Sequence, residues 1–143
     1  MAMKLTMYQL EEAAYIFEKA NGYSHSAYEK KIISEAQLKD INVAELEHII
    51  VDGLNSRLYK IENERISAYW SLLKTGNHLL LVDNFVKWLE YELKYENKNT
   101  IFQILVALDA FGEPVFHKDR FGRDARDFEL NIRDAKHYLS SFH

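Results

Sequence analysis

Cysteine is absent from the 143 residues. That excludes disulfide staples, thiolate metal ligands and a cysteine nucleophile, and it leads us to expect a reducing, cytoplasmic setting. Proline occurs once, as Pro114, beside only five glycines. So little turn-forming material argues against a β-rich fold with many tight reversals. Apolar runs such as Leu79 to Val82 are far too short to span a bilayer, so no membrane association is expected. The start, Met1-Ala2-Met3-Lys4, leads to Glu11 and Glu12 without an apolar stretch. No secretory leader is therefore expected, and Met3 is a second candidate start.

Chemistry-bearing motifs are scarce as well. The chain has no G-x-G-x-x-G, no G-x-x-x-x-G-K and no G-x-S-x-G, so it lacks phosphate-cradling loops and a nucleophile elbow. The expectation is a protein that is not an enzyme and needs no cofactor. An excess of positive charge is missing too. Net charge is −4; of residues 1–63, 64–116 and 117–143 only the last stretch, with six basic and five acidic side chains, leans positive. Phosphate binding needs a basic face, so nucleic acid is not expected as a partner. A mildly acidic surface suits a basic protein partner.

What is present is helical spacing at ordinary globular composition, 48% hydrophobic and 28% charged. Thr6 with Gln9, Ser26 with Glu29 and Asn42 with Glu45 read as helix starts. Stripes follow at Met7, Leu10, Ala14 and Phe17, at Ile32 and Ile33, and at Val43, Leu46, Ile50, Leu54 and Leu58. Gly53 falls on that third stripe, where it would permit close helix packing. Asn63 is expected to cap a fourth helix ending at Gly76, and Asn77 a fifth through Leu81, Phe85, Leu89 and Leu93. Asn99 is expected to cap a sixth, closed by Gly112 and Pro114. A charged loop, Phe116 to Asp127, precedes a seventh with Phe128, Ile132, Ala135 and Leu139. Short joints imply antiparallel neighbours. The expected fold is all-α: one domain over residues 1–143, an irregular antiparallel bundle or short α-solenoid of about seven helices.

Glu45-x-x-His48 and Asp134-x-x-His137 have the spacing of carboxylate–histidine ligand pairs in di-metal bundles. On a helical wheel the two acids fall roughly 120° and the two histidines roughly 180° from their apolar stripes. Both pairs thus read as outward-facing, and no metal site is expected. His25, His78 and His143 show no partner pattern. The densest polar cluster is Phe116-His117-Lys118-Asp119-Arg120-Phe121-Gly122-Arg123-Asp124. It reads as a charged surface loop, with His117 and Asp119 as candidates for acid–base chemistry on a phosphodiester.

Along the fifth helix, Asp83, Lys87, Glu90 and Lys94 fall opposite the core and make favourable i,i+4 pairs. Trp88, Tyr91 and Tyr95 lie on one flank, with Glu92 and Glu96 on the core side of them. Large aromatics mixed with carboxylates match the composition of an interaction hot spot, although a neighbouring helix covering this flank would explain them equally.

The stretch Ile104-Leu105-Val106-Ala107-Leu108-Asp109-Ala110-Phe111-Gly112-Glu113-Pro114-Val115-Phe116, followed by Asn131-x-x-Asp134-Ala135-x-x-Tyr138-Leu139, resembles small all-helical bacterial immunity proteins. These accompany contact-dependent growth inhibition and other polymorphic toxin systems. The resemblance spans about residues 79–143. It implies a cytoplasmic antidote that binds a cognate toxin's nuclease domain, a basic partner, and blocks its active site; no site residue carries over by motif. On that reading the partner-binding candidates are Trp88, Tyr91, Glu92, Tyr95 and Glu96, then His117, Asp119 and Arg120 of the loop. A helical adaptor binding a cellular protein is the first alternative, and a nuclease using the 117–124 loop the second.

Overall fold

A computed structural model describes residues 3–141, apart from the side chain of His78; Met1-Ala2 and His143 lie outside the described residues. Seven helices and no strand form the regular structure there: α1 (Met7–Ala20), α2 (Ala27–Glu35), α3 (Val43–Asn55), α4 (Glu62–Leu73), α5 (His78–Lys94), α6 (Lys98–Ala110) and α7 (Phe128–Ser140). The all-α expectation holds. No described helix is long and apolar enough to cross a membrane.

The helix starts have visible causes. Thr6 Oγ1 accepts the Gln9 N–H at 3.0 Å while Gln9 Oε1 accepts the Thr6 N–H, also at 3.0 Å. Ser26 and Glu29 repeat this reciprocal cap for α2, and Asn42 accepts from Ala44 and Glu45 for α3. Two starts differ from the sequence reading. Asn63 lies inside α4, which begins after Ile61, where Glu64 reaches back to the Ile61 N–H. Asn99 lies inside α6, which begins after Asn97. After α6, Gly112 has φ +89°, a left-handed conformation that strains any residue with a Cβ.

The chain divides into two compact units, residues 1–76 and 77–143. In the first, α1 packs against α2, α3 and α4, burying Leu10, Ala14 and Phe17 against residues such as Leu46, Ile50 and Leu72. Gly53 is buried, as its stripe implied, but its close neighbour is the Tyr59 ring beyond the helix end, 3.0 Å from where a Cβ would stand. Tyr59 Oη in turn accepts the Leu5 N–H. In the second unit, α5 packs on α6 and α7, and α6 on α7. Phe85 is its centre, meeting Trp88 edge-on at 5.1 Å and Phe111 at 5.6 Å. Fully burying each such ring contributes roughly 1.5–3 kcal/mol.

Candidate partner-binding surface

The α5 flank is only partly a surface. Trp88 is 1% exposed and Glu92 0%, which corrects their reading as partner-binding residues and leaves the flank, at these two positions, covered. The buried face of α5 runs Leu81, Phe85, Trp88, Leu89 and Glu92, a stripe wider than the three-residue line used to draw the wheel. Glu92 turns inward because it has work there. Its Oε1 accepts from Asn97 Nδ2 at 2.7 Å and Thr100 Oγ1 at 2.8 Å. A carboxylate is thereby placed at the start of α6, where helix N-termini favour negative charge. It also explains why Asn97, not Asn99, marks the α6 boundary. Tyr95 is exposed and Tyr91 half-buried, their rings 4.9 Å apart. Glu96 is exposed at φ +53°, closing α5.

The loop before α7 is the better-built surface. Two polar residues one turn apart on α7, Asn131 and Asp134, are buried beneath it. Asp134 Oδ2 accepts the His117 N–H at 3.2 Å and Arg120 Nη1 at 3.3 Å. Its Oδ1 accepts from Arg133 at 3.0 and 2.8 Å. Asn131 accepts from Arg120 Nη1 at 2.7 Å and donates to the Asp124 carbonyl at 3.1 Å, holding both arms of the loop. Arg120 is therefore not a surface residue: its side chain is 2% exposed, a second correction, and its guanidinium lies over the Phe116 ring. Asp134 is the third correction, since the wheel sent it outward. A wheel of apolar residues alone does not reveal this, because the inner face of α7 includes the polar Asn131 and Asp134.

Outside this anchor, charges pair off. Arg133 meets Asp119 through two parallel bonds of 2.8 Å; that pairing, aided by His117, holds the Asp119 carboxyl at about 2. Arg126 bonds Asp124 in the same way, holding it at about 2. Arg123 bonds Asp109 of α6 at 2.7 Å. At the tip, Phe121 is fully exposed. A large ring held in water by a loop fixed at both arms is the surface feature that sequence inspection passed over, because nothing local distinguishes it from any loop aromatic.

His117 Nδ1 lies 3.0 Å from Asp119, so the structure does join these two candidates. It adds His137, whose ring is 6.2 Å from that of His117, a neighbour invisible at twenty residues' separation. Glu45 and His48 are both exposed, as their wheel positions implied. Among the described residues no three His, Asp or Glu side chains gather as a metal site. No family model, curated protein or solved structure matches the chain.

Proposed function

We propose that the protein is a non-catalytic binding protein that neutralises a cognate toxin domain, and that the loop of residues 116–127 is its contact surface. The observation that carries this is Phe121, fully exposed on a loop pinned by Arg120, Asn131 and Asp134. A preorganised loop loses little entropy on binding. An aromatic anchor ringed by paired charges has the composition of a hot spot inside a polar rim. The net charge of −4 steers a basic partner such as a nuclease domain to the protein as a whole. At the loop, which leans slightly positive, contact rests on the Phe121 ring and not on charge. The residues that carry the resemblance to immunity proteins, 79–143, coincide with the second compact unit, which supports reading that unit as the functional one.

The test is binding to the toxin-like product of the adjacent upstream gene. Phe121→Ala should melt like the parent yet bind about 30-fold more weakly, the effect of losing a central anchor worth ~2 kcal/mol. Undiminished binding by folded Phe121→Ala and Phe121→Asp would remove this surface from consideration. If no upstream toxin exists, the adaptor reading takes precedence.

The His117–His137 pair favours one second reading, acid–base cleavage of a phosphodiester with Asp119 orienting His117. Against it, Arg123, Arg126 and Arg133 are each bound to a carboxylate, which leaves those cations committed rather than open to phosphate. RNA cleavage by the purified protein that is lost in His137→Ala would establish the enzymatic reading instead.

A further inference from the structure

A second surface lies in the unit of residues 1–76. Two adjoining cavities of about 480 and 450 Å³ share Lys19, Ile33 and Ser34 as a common wall. One continues along the loop after α1, past Tyr23 and His25, to Lys30 of α2. The other runs between Ile16 and Ala20 of α1 and Val43 of α3, with Lys39 and Asp40 at its edge. Each is within the size range of binding pockets, and together they form a trough with an apolar floor.

Its charge is opposite to that of its surroundings. Residues 1–76 carry nine basic and eleven acidic side chains, yet the trough has three lysines against one acid, Asp40. The lysines are distributed, one on the shared wall and one in each lobe. A ligand with one anionic head would need them gathered at one end. Distributed lysines over an apolar floor fit a chain bearing several carboxylates separated by apolar side chains. His25 adds a hydrogen-bonding group in the lining: its side chain is 4% exposed, and its Nε2 has no hydrogen bond and stands 3.9 Å from Glu18.

We infer that this trough is a docking site for an acidic, amphipathic peptide segment of a partner protein. The inference is independent of the Phe121 loop, so failure of either leaves the other standing.

The experiment is selection of a random peptide phage library on the immobilised full-length protein, then anisotropy with the fluorescein-labelled consensus peptide. Selected sequences should alternate Asp or Glu with Leu, Ile or Phe, and the peptide should shift the backbone amide resonances of Lys19, Ile33 and Ser34. Lys19→Glu combined with Lys30→Glu, checked for folding by circular dichroism, should weaken binding at least tenfold. Lys60→Glu, at an exposed lysine outside the trough, should change it less than twofold. Selection without acidic enrichment, or peptide binding indifferent to the double reversal, would overturn the inference. So would sodium oleate shifting Ile33 and Ser34 while no acidic peptide does, because the trough would then be a lipid site.

Discussion

In the unit of residues 77–143, Glu92 and Asp134 enter the interior matched to donors, whereas in the unit of residues 1–76 Glu12 enters with one oxygen unmatched. Glu92 joins the end of α5 to the start of α6, and Asp134 joins α7 to the loop that carries Phe121. Glu12 is 3% exposed and its Oε2 has no hydrogen-bond partner. Burying a carboxylate costs several kcal/mol unless donors replace its water. The comparison teaches which buried carboxylates organise the fold and which one merely burdens it, and it ranks three substitutions.

The largest effect belongs to Asp134→Ala. It leaves the buried Arg120 guanidinium with only Asn131 and a looser pairing to the partly exposed Asp127 at 3.6 Å. It also frees the His117 N–H, so unfolding free energy should fall by about 3 kcal/mol. Replacing the pair together, as Arg120→Met with Asp134→Leu, should cost clearly less, since an unpaired buried charge is worse than none. Urea unfolding of the three proteins decides it. A single-variant cost below ~1 kcal/mol would mean the pair is effectively solvated and the loop is not pinned, which would also weaken the case for Phe121 as a rigid anchor.

Glu92→Ala comes next, at about 2 kcal/mol, because Asn97 Nδ2 loses its acceptor inside the fold while Thr100 keeps a bond to the Asn97 carbonyl. Glu92→Gln should recover most of that loss, because its amide oxygen accepts the same two bonds. A neutral Glu92→Ala would place this residue back among surface carboxylates. It would also revive the α5 flank as an interface, with Tyr91 and Tyr95 beside it.

Helix existence was legible because apolar period and cap chemistry agree locally: Thr6 with Gln9, Ser26 with Glu29 and the Asn77 boundary all stand where the sequence placed them. Helix orientation was less legible where a polar residue faces inward. A wheel drawn from Leu81, Phe85 and Leu89 puts Glu92 on the core side, but it cannot show that Asn97 and Thr100 supply the donors that make an inward carboxylate tolerable. It likewise cannot show that Asp134 is drawn in by a loop more than ten residues upstream. Both are long-range hydrogen-bond decisions, made by donors whose proximity only the folded chain reveals. The same limit hid His137 from His117, and it made Arg120 read as a surface cation when it is a buried strut. The trough between α1 and α2 was hidden for another reason, since scattered lysines acquire meaning only when three elements bring them to one wall.

The smallest effect, opposite in sign, is expected at Glu12. Burial pushes its carboxyl pKa above the usual range; the Gln37 backbone N–H opposes that shift, and the neighbouring Glu11 charge adds to it. A raised folded-state pKa means the protonated form suits the fold, so this group's contribution is most favourable below its unfolded pKa. That contribution is lost as pH rises through the folded value. Once pH exceeds that folded value the wild type bears a buried charge that Glu12→Gln removes. The variant should be more stable at pH 7.5 by about 1 kcal/mol, a few degrees in Tm. The advantage should shrink steadily as pH is lowered into the carboxylate range, where wild-type Glu12 becomes neutral too. Comparing variant with wild type at each pH cancels the contributions of Asp119 and Asp124, whose lowered values act in the opposite direction in both proteins. Paired thermal melts at pH 7.5, 6 and 4.5 supply the measurement. A variant less stable than wild type at pH 7.5 would show that the unmatched oxygen has a donor in solution, and the contrast between the two units would then disappear.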